Sequence, residues 1–188
     1  MVVAAYVVDS GASYGEVYAR SQDVIRRAIL PEAERLGIIL AIENVWNGFL
    51  LSPFDCARYI DDFASPSVRL CLDLGNVFFG RPEGWIDVAG HCIVSLHLKD
   101  LIHWRGLRRY RTVRVGEGEI DWARVRAALA RADFSGWGVM AEAEVAAPFP
   151  LPQAFALGRR WAPFVETALS RRIVSDAMRR FRRYVARG

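Results

Sequence analysis

The stretch "LCLDLGNVFFG", residues 70–80, decides the fold class of this chain. It continues an apolar run from Val68, and such a run is typical of a strand buried on both faces. The run nevertheless ends on an acid, Asp73, and passes directly into a turn at Gly75 and Asn76. A buried strand with an acid at its carboxyl end predicts a parallel sheet whose strand ends carry functional groups.

The same kind of short apolar run recurs along the chain, with helical patterns between the runs. Alternation of strands with helix-sized connections predicts parallel pairing and right-handed crossovers. We therefore predict an α/β fold of about five strand-helix units. The predicted strands are residues 2–8, 38–43, 68–73, 92–98 and 137–144.

Capping residues mark where the helices begin and end. The helices are expected at about 14–36, interrupted near Pro31 and followed by Gly37, at 53–63 after a Ser52-Pro53 cap, at 83–90, and at 122–132 after Asp121.

Residues 99–120 are predicted to be a long irregular stretch, and long loops are often functional.

Composition indicates one globular body with a basic tail. The chain has 188 residues, 53% of them hydrophobic and 24% charged, with a net charge of +4. Much of the positive excess lies in residues 171–188, which we predict to be a basic amphipathic helix beyond a body at 1–170. A solvated terminal helix is favoured over contact with nucleic acid or a membrane, so neither partner is predicted.

The cysteines and the first residues indicate a cytoplasmic protein. Three cysteines form no even disulfide framework, and Cys71 and Cys92 lie in apolar runs, which favours reduced core thiols. The start "MVVAAYVVDSG" has no basic region before its short apolar run, so we expect a strand there and neither a signal peptide nor a membrane span.

Four polar residues fall at or near the carboxyl ends of successive predicted strands: Glu43, Asp73, His97 and Glu142. In a parallel sheet these ends share one rim. Three carboxylates and an imidazole in one partly buried site would repel one another without a cation. Oxygen and nitrogen ligands without a thiolate suit Mn²⁺, Mg²⁺, Co²⁺ or Zn²⁺. A single acid at a strand end is more often a cap or an ion-pair partner, but that explanation fits four successive units poorly.

Five stretches in order, "AIENVWNGFLLSP", "CLDLGNVFFGRPEGW", "SLHLKD", "VGEGEIDW" and "MAE", carry a family resemblance. Together they resemble the sugar phosphate isomerase/epimerase family with the xylose-isomerase-like barrel, in particular its ketose-phosphate 3-epimerase and hexulose-6-phosphate isomerase-like branch. The resemblance implies a (β/α)8 TIM barrel and four metal ligands at Glu43, Asp73, His97 and Glu142. It also implies that the two glutamates move a proton through an enediolate.

The resemblance implies substrate-binding positions as well. Asn76 stands where epimerases of free ketoses carry a histidine, so asparagine there favours the branch that acts on phosphorylated sugars. Arg111 has the spacing of a substrate-binding arginine, and Lys99 follows the histidine ligand. A substrate phosphate is expected to meet Arg111 and the backbone amides of Gly116 to Gly118; the alternative is a solvated arginine and an ordinary turn.

Several alternatives stay open at the level of sequence. The same machinery could interconvert an aldose and a ketose, or dehydrate a cyclic polyol as an inosose-type lyase does. An endonuclease for abasic DNA is disfavoured because three histidines are too few. A complete barrel takes about 250 residues, so we expect this chain to be the C-terminal part of one, lacking roughly the first third. An inactive truncated remnant is then a further alternative, and exposed barrel edges predict a homodimer or aggregate.

Overall fold

The apolar runs form a parallel sheet in a computed structural model, which describes residues 1–4, 11–77, 81–104 and 109–140. Five strands lie in the order β1-β2-β3-β4-β7, and the first three neighbouring pairs in that order are parallel. The predicted α/β fold is confirmed, and the three central strands end at the expected residues, Glu43, Asp73 and Leu98. The strands are β1 Val2–Ala4, β2 Leu40–Glu43, β3 Val68–Asp73, β4 Ile93–Leu98, β5 Asp100–Trp104, β6 Arg109–Val113 and β7 Trp137–Met140.

Two helices begin at the predicted caps, Ser52 and Asp121. Ser52 Oγ accepts a hydrogen bond from Asp55 N at 3.1 Å, and Gly37 ends its helix in the left-handed conformation with φ 65°. The helices are α1 Tyr14–Val24, α2 Leu30–Leu36, α3 Pro53–Asp61, α4 Pro82–Ala89 and α5 Trp122–Arg131, with a π-helical segment at Ile25–Ile29 between α1 and α2.

The interruption expected near Pro31 is this π-helical segment. Proline lacks an N–H and its ring crowds the carbonyl four residues earlier, so a regular α-helix cannot continue unchanged through it. The wider turn at Ile25–Ile29 lies just before that point. The chain therefore stays helical from Tyr14 to Leu36, although the sequence suggested a break near Pro31.

The core lies between the sheet and the helices. Leu40, Ile42, Leu70, Leu72 and Leu96, all on the three central strands, are at most 2% exposed. Helix α4 packs against both α3 and α5. The pairing of β2, β3 and β4 holds their carboxyl ends side by side, which is what a site at those ends requires.

Residues 99–119 belong to a second compact unit. The sequence predicted an irregular stretch here, and that prediction was wrong, because β5 and β6 form an antiparallel pair with Ile102 opposite Arg111. Both segments contain aromatic and β-branched residues, which favour strands. No strict alternation of apolar and polar residues marked them, and the arginines around them favoured a loop.

Some predictions fall outside the described residues. They include the C-terminal helix at 171–188, the outer parts of the first and last predicted strands, and Glu142. The division into 1–170 and 171–188 stays a prediction for the same reason. Within the described residues, no helix has both the length and the apolar character needed to cross a bilayer.

Candidate metal centre

The register of the sheet places three of the predicted ligands on one face. Asp73 pairs with His97 across β3 and β4. Glu43 pairs with Cys71 across β2 and β3, two residues before Asp73. Because alternate residues of a strand point to the same face, the side chains of Glu43, Asp73 and His97 share a face. They also lie at the carboxyl ends of three adjacent strands.

The three side chains are close enough to hold one ion. One ligand atom from each lies within 4.8 Å of the other two. His97 Nδ1 is 2.9 Å from Glu43 Oε1 and 3.8 Å from Asp73 Oδ2. Two carboxylates and one imidazole form a donor set that suits a divalent cation, so the residues present fit a metal ion. Glu142, the fourth predicted ligand, lies outside the described residues.

Burial differs among the three ligand candidates. The Asp73 side chain has no exposed surface, whereas those of Glu43 and His97 keep 18% and 17% of theirs. Asp73 Oδ1 also accepts a hydrogen bond from Asn76 N at 3.0 Å. Asp73 is therefore the most deeply buried residue of the cluster, and Glu43 and His97 remain partly exposed to solvent.

The environment of His97 favours its charged form. A hydrogen bond with Cys71, followed by the one with Glu43, outweighs desolvation and raises the pKa of His97 from 6.5 to about 10. The imidazolium then balances carboxylate charge at neutral pH. A bound divalent ion would replace that proton, since a ligating imidazole must be neutral. Sequence reasoning identified Cys71 as a core residue; it is fully buried, and it also contacts the cluster.

Sequence reasoning missed Asn44, the residue after Glu43. Its side chain is 4% exposed and forms two hydrogen bonds with the backbone of Asp73, accepting from N at 2.7 Å and donating to O at 3.1 Å. Its position beside a predicted ligand in "AIENVW" was the available signal. Asparagine is common in turns, and that ordinary role concealed this one.

Asn76 lies in the turn after β3 and bonds within the protein. Its side-chain Nδ2 donates to Asn44 O at 2.8 Å, and its backbone carbonyl accepts from Trp46 Nε1 at 2.8 Å. This donated hydrogen bond therefore holds the loop after β2. A contact between Asn76 and substrate stays a prediction.

Lys99 and Arg111 belong to the second unit, where Lys99 is half-buried and Arg111 is exposed on β6. Their substrate-binding roles stay predictions. The three amides of the glycine turn, expected to meet a phosphate, bond within the protein instead, and Glu117 N donates to Arg114 O at 2.9 Å. Gly116 N and Gly118 N donate to Asp100 Oδ2 at 2.9 and 3.1 Å, so a buried carboxylate of the chain itself occupies the donors expected to hold a phosphate.

Solved structures with the same fold include sugar epimerases and metal-bound proteins. A D-psicose 3-epimerase from Clostridium cellulolyticum H10, solved with D-tagatose, has a TM-score of 0.70 and 20% identity, over 95% of this chain and 60% of that one. A Mycobacterium smegmatis protein in complex with magnesium has a TM-score of 0.57 and 17% identity, over 74% of this chain and 49% of that one. The IOLI protein with a zinc atom has a TM-score of 0.58 and 21% identity, over 73% and 51%.

These likenesses concern the fold, since the identities are low. The chain spans about 60% of the length of the epimerase and about half of the other two proteins. No curated protein matches its sequence. A family model described as xylose isomerase-like TIM barrel matches residues 1–163. With the parallel strands and the cluster at their ends, this match shows that the chain belongs to the xylose isomerase-like TIM barrel family.

Proposed function

We propose that the chain is a metal-dependent isomerase or epimerase of a sugar or sugar phosphate. The observation that carries the proposal is the convergence of Glu43, Asp73 and His97 at the ends of three adjacent strands. A divalent ion held there would draw electron density from the substrate oxygens and so ease removal of a proton from the neighbouring carbon.

The chain's own side chains would move the proton. A change of configuration beside a carbonyl requires that one group remove a proton from carbon and that another return a proton to the opposite face. Glu43 is suited to one of these tasks because its carboxylate keeps contact with solvent and lies against His97. We assign the other task to Glu142. Asp73, which is fully buried, would serve as a ligand only.

The substrate class is the finer part of the proposal. D-psicose 3-epimerase, a neighbour in fold, acts on a free ketose by its name. Asn76 and Arg111, through the family resemblance, favour a phosphorylated sugar for this chain. Because the amides of Gly116 and Gly118 bind Asp100, recognition of a phosphate would depend on side chains such as Arg111.

Metal content and solvent exchange test the proposal together. The full chain, expressed and purified without chelators, is expected to contain a divalent metal. With that metal, it is expected to incorporate solvent deuterium into a ketose or ketose phosphate. Glu142→Gln should abolish incorporation. Glu32→Gln, which alters a surface glutamate paired with Arg35, is the matched control and should leave incorporation unchanged.

A pair of histidine variants tests the metal centre without substrate. Binding of a divalent metal is expected to raise the melting temperature of the unaltered chain. His97→Gln should remove that rise. His91→Gln should keep it, because His91 lies at the surface with Nε2 3.1 Å from Asp61 Oδ1. Ligand linkage gives about 2.7 kcal/mol of stabilisation when the free metal is a hundred times its dissociation constant. A metal-bound chain that exchanges no proton with any ketose would contradict the proposed activity, and release of water from a cyclic polyol would instead identify a dehydratase.

A further inference from the structure

Two asparagines join the carboxyl ends of β2 and β3. Asn44 bonds both backbone groups of Asp73 through its side chain, at 2.7 and 3.1 Å. Asn76 donates from its side chain to Asn44 O at 2.8 Å and from its backbone to Asp73 Oδ1 at 3.0 Å. We call these four hydrogen bonds, made by Asn44 and Asn76, the asparagine clasp.

The clasp continues the sheet where backbone pairing ends. The last paired residue of β2 is Glu43, which lies opposite Cys71. Beyond that point the Asn44 side chain supplies both a donor and an acceptor to Asp73, as a neighbouring strand would do. An amide side chain offers both groups in this arrangement. The strand end that carries Asp73 is therefore tied to the strand end that carries Glu43.

Burial strengthens the hydrogen bonds between Asn44 and Asp73. Asn44 is 4% exposed and Asp73 is fully buried. Hydrogen bonds in such surroundings are strong, and a buried group that loses its partner pays the whole desolvation penalty. The strand ends that carry Glu43 and Asp73, and one oxygen of the Asp73 carboxylate, are thereby held by bonds that involve no substrate.

We propose that Asn44 and Asn76 are positioning residues, which hold Glu43 and Asp73 at the spacing that a metal ion needs. The inference rests on the metal centre of the proposed function. It gives Asn76 a task that precedes any contact with sugar, because its side chain acts on the ligands through Asn44.

A purely structural role for the clasp makes a different prediction. If the four bonds only stabilise the fold, their loss lowers the free energy of unfolding and leaves the affinity for metal unchanged. If they set the ligand spacing, their loss weakens the metal site and changes its coordination geometry. Removal of partners around metal ligands commonly lowers metal affinity about 10- to 100-fold.

Titration of the full chain with Co²⁺ in the absence of sugar separates these roles. The dissociation constant is measured by calorimetry, and the visible absorption of bound Co²⁺ reports coordination geometry. Asn44→Ala and Asn76→Ala are expected to bind Co²⁺ about 10- to 100-fold more weakly, with altered absorption. Gln22→Ala is the matched control, since Gln22 is also a buried amide, with Nε2 donating to Tyr59 O at 2.8 Å between α1 and α3. It should lose stability and keep both the affinity and the spectrum.

Each outcome decides the matter. Co²⁺ binding by both asparagine variants with the affinity and spectrum of the unaltered chain would overturn the inference and leave the metal centre standing. Failure of the unaltered chain to bind Co²⁺ would overturn the metal centre and the inference with it. If Asn44→Ala does not fold, Asn76→Ala decides alone, because its half-buried side chain contributes a single bond of the clasp.

Discussion

At the scale of single residues, the cysteines illustrate how burial sets reactivity. Cys56 and Cys92 are fully buried, and their thiols donate to the carbonyls of Leu50 and Ala89. Desolvation raises the pKa of each thiol from 9.0 to about 12. Since the thiolate is the nucleophile, both thiols are unreactive in the folded protein at neutral pH.

We therefore predict slow alkylation of the native chain at about pH 8 and fast alkylation in concentrated urea. The same shift makes stability depend on pH. Between pH 9.0 and about 12 the unfolded thiols lose protons that the folded ones keep, so the free energy of unfolding falls as pH rises through this range. Rapid labelling of native Cys56 or Cys92, located by mass spectrometry, would contradict this account.

At the scale of elements, the pair β5 and β6 depends on a turn that bonds a buried acid. Asp100 Oδ1 accepts from Leu101 N at 2.9 Å while Oδ2 accepts from Gly116 N and Gly118 N. A Cβ at Gly118 would collide with the Asp100 carboxylate and lie 2.7 Å from Leu101 N. The glycine is thus required by the close approach of the turn to Asp100.

Gly118→Ala should destabilise the protein by about 1–3 kcal/mol because nothing near the new methyl group can yield cheaply. Gly84→Ala is the matched control, since a Cβ there meets nothing within 4 Å in helix α4, and it should be neutral or stabilising by up to about 1 kcal/mol. Urea unfolding measures both changes. Equal stability of the two variants would show that the turn adjusts to a side chain.

At the scale of the whole molecule, the outer strands of the sheet favour association. In the described part of the chain, β1 and β7 each have one neighbouring strand in the sheet. Their apolar side chains are exposed, with Val2 at 43%, Trp137 at 78% and Val139 at 51%. Exposed edges with apolar side chains invite pairing with another chain.

We predict that the chain is a dimer or a larger assembly in solution, as measured by sedimentation or light scattering. Val139→Lys should shift the distribution toward the monomer, since a charge on an edge strand opposes pairing. Phe54→Lys, a change at an exposed residue of α3, is the control and should not shift it. A monodisperse monomer of the unaltered chain would refute the prediction.

Local patterns predicted most of the fold. The apolar runs fixed the strands, and Ser52, Gly37 and Asp121 fixed helix ends, because capping depends on residues a few positions apart. The pair β5 and β6 was missed, because its residues do not alternate strictly between apolar and polar and arginines surround them. The hydrogen bonds of Asp100 were missed as well, since its donors, the amides of Gly116 and Gly118, follow it only after both strands of the pair.

The sequence by itself determined that acids and an imidazole would end successive parallel strands, because that follows from spacing and the direction of the strands. Only the tertiary structure decided which hydrogen bonds hold the carboxyl ends of these strands together. The bonds from Asn44 to Asp73 span 29 positions, and the contact between His97 and Glu43 spans 54. Such contacts depend on strand register and burial, which no local pattern of residues encodes.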